Sequence, residues 1–226
     1  MMNEDQWEDL ALFPLNTVLF PGMVLPLHVF EERYKLMIGR CLEQDRPFGV
    51  VLIREGIEAG GDAIPYTVGT TAVIAGVTHL DEGRMNLVSI GSERFRLRHV
   101  RRDLPYLVGQ AEPWPLIEVA ADQAQELVGP VRALFRHYLS LLAQAQGDRI
   151  EIEEIPDEPK ALALLIGVAL QVSMPLKQRL LTQPSILRML RVERAILRRE
   201  QLLLDYIMRT QSDQWEGGFS GLLAKN

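Results

Sequence analysis

Apolar and polar positions recur with a period of two in the first half of the chain and near 3.6 in the second. Leu10–Leu15 is an apolar run that contains a proline, and residues 48–53 are a β-branched run between Pro47 and the loop 55–65. Residues 67–77 are rich in Val, Thr and Ile, and Asp81, Glu82, Gly83 and Arg84 supply turn chemistry before residues 85–100. Residues 106–111 add one more short run. Each of these predicts a strand. Within residues 85–100, Phe95 and Leu97 fall on one face and Arg94, Arg96 and Arg98 on the other. That is the pattern of a strand covering a core with its outer face in water. One helix is predicted in this half, over residues 30–42, because Tyr34, Met37, Ile38 and Cys41 stand at spacings of three and four. Short strands with Gly- and Pro-rich turns and a single helix predict a closed or nearly closed sheet, which removes aggregation-prone edges.

The second half reads as helix. Leu127, Val131, Leu134, Tyr138, Leu141 and Ala145 form an apolar stripe, followed by a connector over residues 147–156 that carries Glu151, Glu153 and Glu154. Asp157, Glu158 and Pro159 make a good helix start. The helix they open, residues 160–172, is apolar nearly all round and is expected at the centre of a bundle. Pro175 and Pro184 bracket a short helix, and Ser185 caps a long one expected to reach about Gln211. The predicted class is α+β: residues 10–115 a β subdomain, residues 116–212 a helical bundle, and residues 213–226 a flexible tail.

Composition narrows the partners. The 226 residues hold 24 basic and 30 acidic side chains, a net charge of −6, so there is no global attraction for nucleic acid or anionic membrane. One cysteine makes neither an internal disulfide nor a cysteine-ligated zinc site. The acidic opening stretch is unlike a signal peptide, and the longest apolar run, residues 161–170, is about half of a membrane span. A reducing, cytoplasmic setting is expected.

Catalytic chemistry is not visible. The chain has no phosphate loop, no GxGxxG, no HExxH, no GxSxG and no Ser-x-x-Lys pair. His28, Glu31 and His79 are the one metal constellation worth weighing, and they read as structural, because zinc ligands are usually closely spaced. Cys41 sits on the apolar stripe of its helix and reads as an inert buried thiol. Glu31 and Glu32 diverge by about 100° around a helix, so they suit the helix dipole rather than paired acid/base work. Two arginine rows remain: Arg94, Arg96 and Arg98 with Arg101 and Arg102 beyond, and Arg188, Arg191, Arg194 and Arg198. Both read as solvated faces paired with acids, the connector complementing the helical row. No catalytic residue, cofactor or metal is assigned.

Three stretches carry a family resemblance. Residues 10–42, LALFPLNTVLFPGMVLPLHVFEERYKLMIGRCL, resemble the opening of the substrate-binding N-domain of the ATP-dependent protease Lon, with its FPL…LFPG…PLH-(apolar)-FE-x-RY pattern. GTTAVIAGV, DEGR and IGSERFRL, within residues 68–100, are similar to the family's GT-x-A-x-I, D-G-R and G-x-x-RF elements. Lys177, Gln178, Arg179, Leu180 and Leu181 resemble the KQ-x-LL segment of its helical subdomain. The resemblance implies a PUA-like pseudo-barrel followed by a helical bundle, and a non-catalytic role in protein quality control. The family's N-domain helps select damaged or unfolded polypeptides. Full-length Lon continues into ATPase and peptidase modules, so a stand-alone N-domain protein is expected here.

A surface that binds unfolded or exposed apolar segments is expected near Phe20, Met23, Val24 and Leu25, where the chain is apolar yet full of turn formers. The competing reading is that these residues plug the barrel. Two other functions are open. One is a regulatory or docking protein that assembles with itself or with a separate protease, using Trp215, Phe219, Leu222 and Leu223. The other, ranked below it, is an RNA-binding PUA-like module.

Overall fold

The structure, a computed structural model, describes residues 8–58, 63–118, 121–146 and 154–220. β1 (Leu10–Leu15) pairs in parallel with β3 (Phe48–Glu55) and antiparallel with β7 (Leu107–Pro113), and this double pairing closes the sheet. Around the ring the order runs β1, β7, β6 (Met85–Arg101), β5 (Val68–His79), β3 and back to β1. β2 (Val24–Val29) lies off the ring and pairs with β6, and β4 (Ile64–Pro65) adds to β3. Register shifts in the β5–β6 and β6–β7 ladders mark bulges that bend the two longest strands around the closure.

The closed sheet, with α1 (Glu32–Glu43) against it and helices after it, is the α+β pseudo-barrel the sequence leads one to expect. α1 buries Tyr34, Met37, Ile38 and Cys41, as their spacing predicts, and these pack with Phe13, Phe48, Val50 and Leu87. A second cluster joins Leu10, Leu12, Val51, Phe95, Leu97 and Leu107. Backbones approach closely there: a Cβ at Gly49 would lie 2.8 Å from both Leu10 and Phe95.

Two compact units emerge, Met1–Ile117 with Gly167–Pro184, and Glu118–Ile166 with Ser185–Asn226. In the first, α4 (Met174–Leu181) packs with β5 and the end of α3 (Pro159–Ala169) meets Phe20. Gln178 Nε2 donates to the Val68 carbonyl at 2.8 Å, and the Phe20 ring sits so close to Gly167 that a Cβ there would lie 2.5 Å from it.

In the second unit, α2 (Ala121–Gln146) packs against α5 (Ile186–Ser220). The buried row of α2 is Ala124, Val128, Val131, Phe135, Tyr138 and Leu142. Val131, Tyr138 and Leu141 of the predicted stripe are buried, but the buried face is turned slightly, leaving Leu127 and Leu134 half-buried and Ala145 exposed. α3 buries Leu162, Ala163 and Ile166 while Leu165 is exposed, so it presents one buried face rather than an all-round core. Among the described residues no connector acid pairs with an α5 arginine. Glu158 accepts from the backbone N–H groups of Lys160 and Ala161, an N-terminal cap, and Asp157 pairs with Arg132; Glu151 and Glu153 lie outside the described residues. Trp215 and Phe219 fall within α5, where only the backbone is described, and Leu222 and Leu223 lie outside the described residues.

Candidate functional site

β2 was hidden in the sequence by Pro21, Gly22 and Pro26, which read as turn formers. Gly22 takes φ +82°, the left-handed region glycine tolerates, and its N–H donates to the Gly91 carbonyl at 2.8 Å while Gly91 N–H donates to Met23 at 2.9 Å. That exchange lines the following residues up against β6. Pro26 is accommodated because β2 pairs with β6 alone, and an edge strand does not need every N–H.

From there the strand alternates. Leu25 and Val29 are buried and Leu27 is partly buried, all packed against the core, while Val24, Pro26 and His28 face outward. The register sets Val24 opposite Ile90 and Ile90 opposite Val73, with Pro26 opposite Val88 in the next row. Val24 is 56% exposed, Val73 49%, Val88 47% and Ile90 40%. Three strands therefore present one apolar face to water. Its far end is polar, where His28 Nδ1 and Asn86 Oδ1 share a hydrogen bond of 2.7 Å.

Beside this face runs a groove of about 310 Å³, bounded by residues 26–30, with Phe13, Leu15 and Tyr34 among its other walls. Phe13 and Tyr34 stack with ring centroids 4.0 Å apart. Burial pushes the Tyr34 hydroxyl up to about 12, so that wall is uncharged. Glu31 and Glu58 form the rim, and Arg33 ties them together, donating to the Glu31 carboxylate at 2.9 Å and to the Glu58 carbonyl at 2.8 Å.

The sequence-predicted residues divide accordingly. Phe20 is fully buried and Leu25 faces the core, Met23 is half-buried, and Val24 alone lies on the open face. Val73, Val88 and Ile90 were missed. Their signal was there, apolar side chains at outward positions of alternating strands, but only the register shows that they meet Val24.

Within the arginine row on β6, Arg98 and Arg101 are exposed and paired with acids as expected, while Arg94 departs from that reading. Arg94 is buried, donating through Nη1 to the carbonyls of Leu181 at 2.5 Å and Gln183 at 2.8 Å, and burial pushes its guanidinium down to about 10. Arg96 lies 3.2 Å over the Trp114 ring, and Arg98 pairs with Glu112 at 2.7 Å. Among the described residues no group of three or more His, Cys, Asp or Glu side chains is placed to hold a metal ion, and no helix is long and apolar enough to cross a membrane.

The family profile of the ATP-dependent protease La (LON) substrate-binding domain matches residues 9–199. The chain belongs to that family. Lon protease of Anaeromyxobacter dehalogenans is 29% identical over 198 residues, which are 86% of this chain and 24% of that protein. Lon protease of Paraburkholderia phytofirmans is 32% identical over 179 residues, 77% of this chain and 22% of that one. The LON-domain chain thus spans about a quarter of the curated relatives it matches. Among solved structures, a Lon N-terminal domain protein from Xanthomonas campestris is 27% identical with a TM-score of 0.57, covering 81% of this chain and 95% of its own. The N-terminal domain of a Mycobacterium avium complex Lon protease shares the fold at 19% identity and a TM-score of 0.63, covering 82% of this chain and 95% of its own.

Proposed function

We propose that this LON domain binds extended, apolar polypeptide segments along β2, a recognition role with no hydrolytic step of its own. The observation that carries the reading is the open apolar face of Val24, Val88, Ile90 and Val73, spread over three strands and ending at the edge strand β2 beside a groove. An edge strand offers backbone hydrogen bonds that any sequence can accept, and an apolar face rewards any large aliphatic or aromatic side chain, so the pair suits sequence-tolerant binding. Exposed apolar area of this kind is costly in water and marks an interaction surface. Membership of a family named for substrate binding supports the same reading.

Val88→Asp tests it. Val88 is half in water on the middle strand of the face, so the variant should fold. Affinity for a permanently unfolded probe, a reduced and carboxymethylated protein, should fall about tenfold or more, the worth of burying one valine plus the cost of desolvating a carboxylate. Unchanged affinity in fluorescence anisotropy would place binding elsewhere.

The docking alternative has its own support in the second unit, where Leu202 and Tyr206 of α5 are 72% and 68% exposed, one turn apart.

A further inference from the structure

A second cavity, of about 290 Å³, opens on the first unit among α1, β1 and the segment joining β6 to β7. Its charge is unusual for a chain of net −6: Arg40, Arg46 and Arg101 line it against Asp9 alone. Arg101 is already matched, paired with Asp9 and lying 3.7 Å from Asp103. Arg40 and Arg46 have no acidic partner among the described residues.

Arg40 is nevertheless held in place. Its Nη1 donates to Tyr106 Oη at 3.0 Å, so the tyrosine oxygen acts as acceptor there and its own O–H is left to donate. Tyr106 is buried, which fixes that hydroxyl at the cavity wall. The remaining surface is neutral. Ala11, Pro47 and Leu104 are apolar and partly exposed, and burial, opposed by nearby Arg46, pushes the Cys41 thiol up to about 11. The C-terminal end of α1 opposes an anion with about half a negative charge, less than the two free guanidiniums supply.

We propose that this cavity binds a carboxylate borne on a short apolar body, the head held by Arg40, Arg46 and the Tyr106 hydroxyl and the body against Ala11, Pro47 and Leu104. A guanidinium matches the planar carboxylate in two-point geometry, and the apolar walls would leave a bare inorganic anion in partial contact with hydrocarbon. That chemistry is shared by a small organic acid and by the C-terminal residue of a polypeptide. The site stands apart from the β2 face and does not depend on it.

Calorimetric titration with N-acetyl-L-leucine, beside its neutral amide, decides the matter. The acid should bind in the millimolar range or tighter and the amide about tenfold more weakly, the worth of a charge-assisted hydrogen bond. Arg46→Gln, an exposed position whose change should leave the thermal midpoint intact, should lose about tenfold, and Arg46→Lys should recover part of it. Equal binding of acid and amide, full binding by Arg46→Gln, no saturable binding of the acid, or tighter binding of inorganic phosphate overturns the proposal. A short peptide ending in leucine, with free or amidated terminus, separates the sources. Competition by the free form alone assigns the site to polypeptide ends, and failure of both forms while the acid binds assigns it to a small molecule.

Discussion

The two halves of β6 carry the same alternation and opposite outer faces. From Met85 to Ile90 the outward positions include Val88 and Ile90, apolar and in water; further along, Arg94 is charged and buried. The inversion follows from what lies over each half. The segment 167–184 covers the second half and supplies two carbonyls to Arg94, whereas the first half has β2 at its flank and leaves Val88 47% exposed among the described residues. Alternation therefore tells inside from outside of the barrel but not outside from solvent. A guanidinium beneath cover needs acceptors, which Arg94 finds at Nη1 though not at Nη2 among the described residues, and an uncovered valine is retained for some reason other than the core.

The strongest way to break the comparison is to remove the covered charge. Arg94→Leu leaves the hydrocarbon of the side chain in place and takes both donors from the carbonyls of Leu181 and Gln183. Two bonds to a charged donor, less the relief of desolvating the guanidinium, should cost about 3–4 kcal/mol in urea unfolding. A loss under about 1 kcal/mol would mean that the segment 167–184 is held by its apolar contacts alone and that Arg94 is incidental.

The same distinction explains what was readable from sequence. β1 and β3 are legible as continuous apolar runs because both their faces are buried, and β5, β6, β7 and α1 are legible as local strand or helix patterns. β2 escaped because proline and glycine mark turns in isolation, and only its single-sided pairing makes them tolerable. The cover over Arg94 comes from residues 87 and 89 positions away, which no local pattern encodes. Of the candidate site, Val24 was legible as an exposed apolar residue, while Val73, Val88 and Ile90 join it only through cross-strand register.

A buried charge without acceptors or donors should behave in the opposite way, and the second unit holds one. Glu193 on α5 is fully buried, and neither carboxylate oxygen has a partner. Burial pushes its carboxyl well above the usual carboxylate range. An acid whose folded value is raised is protonated in the folded chain and ionised in the unfolded one across the intervening pH window. Stability is therefore full below the unfolded value and falls as pH rises, by about 1.4 kcal/mol per pH unit, until the folded value is reached. Glu193→Gln should flatten that slope, matching the parent near pH 4 and exceeding it by a margin that widens as pH rises toward 7 in thermal or urea unfolding. Parallel curves for the two proteins would show that the carboxyl finds a partner in solution.

The gentlest test falls on the uncovered half of β6. Val88→Thr keeps the branched shape and strand preference and replaces one outward methyl with a hydroxyl that water can satisfy. At a position that is 47% exposed, unfolding free energy should move by no more than about 0.5 kcal/mol. Binding of the unfolded probe should still weaken, by about threefold to fourfold, since one buried methyl group is worth about 0.8 kcal/mol. The ratio of the two effects is the informative quantity. A structural residue loses stability first and binding only as a consequence, whereas a residue retained for recognition loses affinity while the fold stays where it was. Should Val88→Thr cost more than about 1 kcal/mol of stability, the outer face of β6 would be under cover along its whole length and the contrast with Arg94 would disappear.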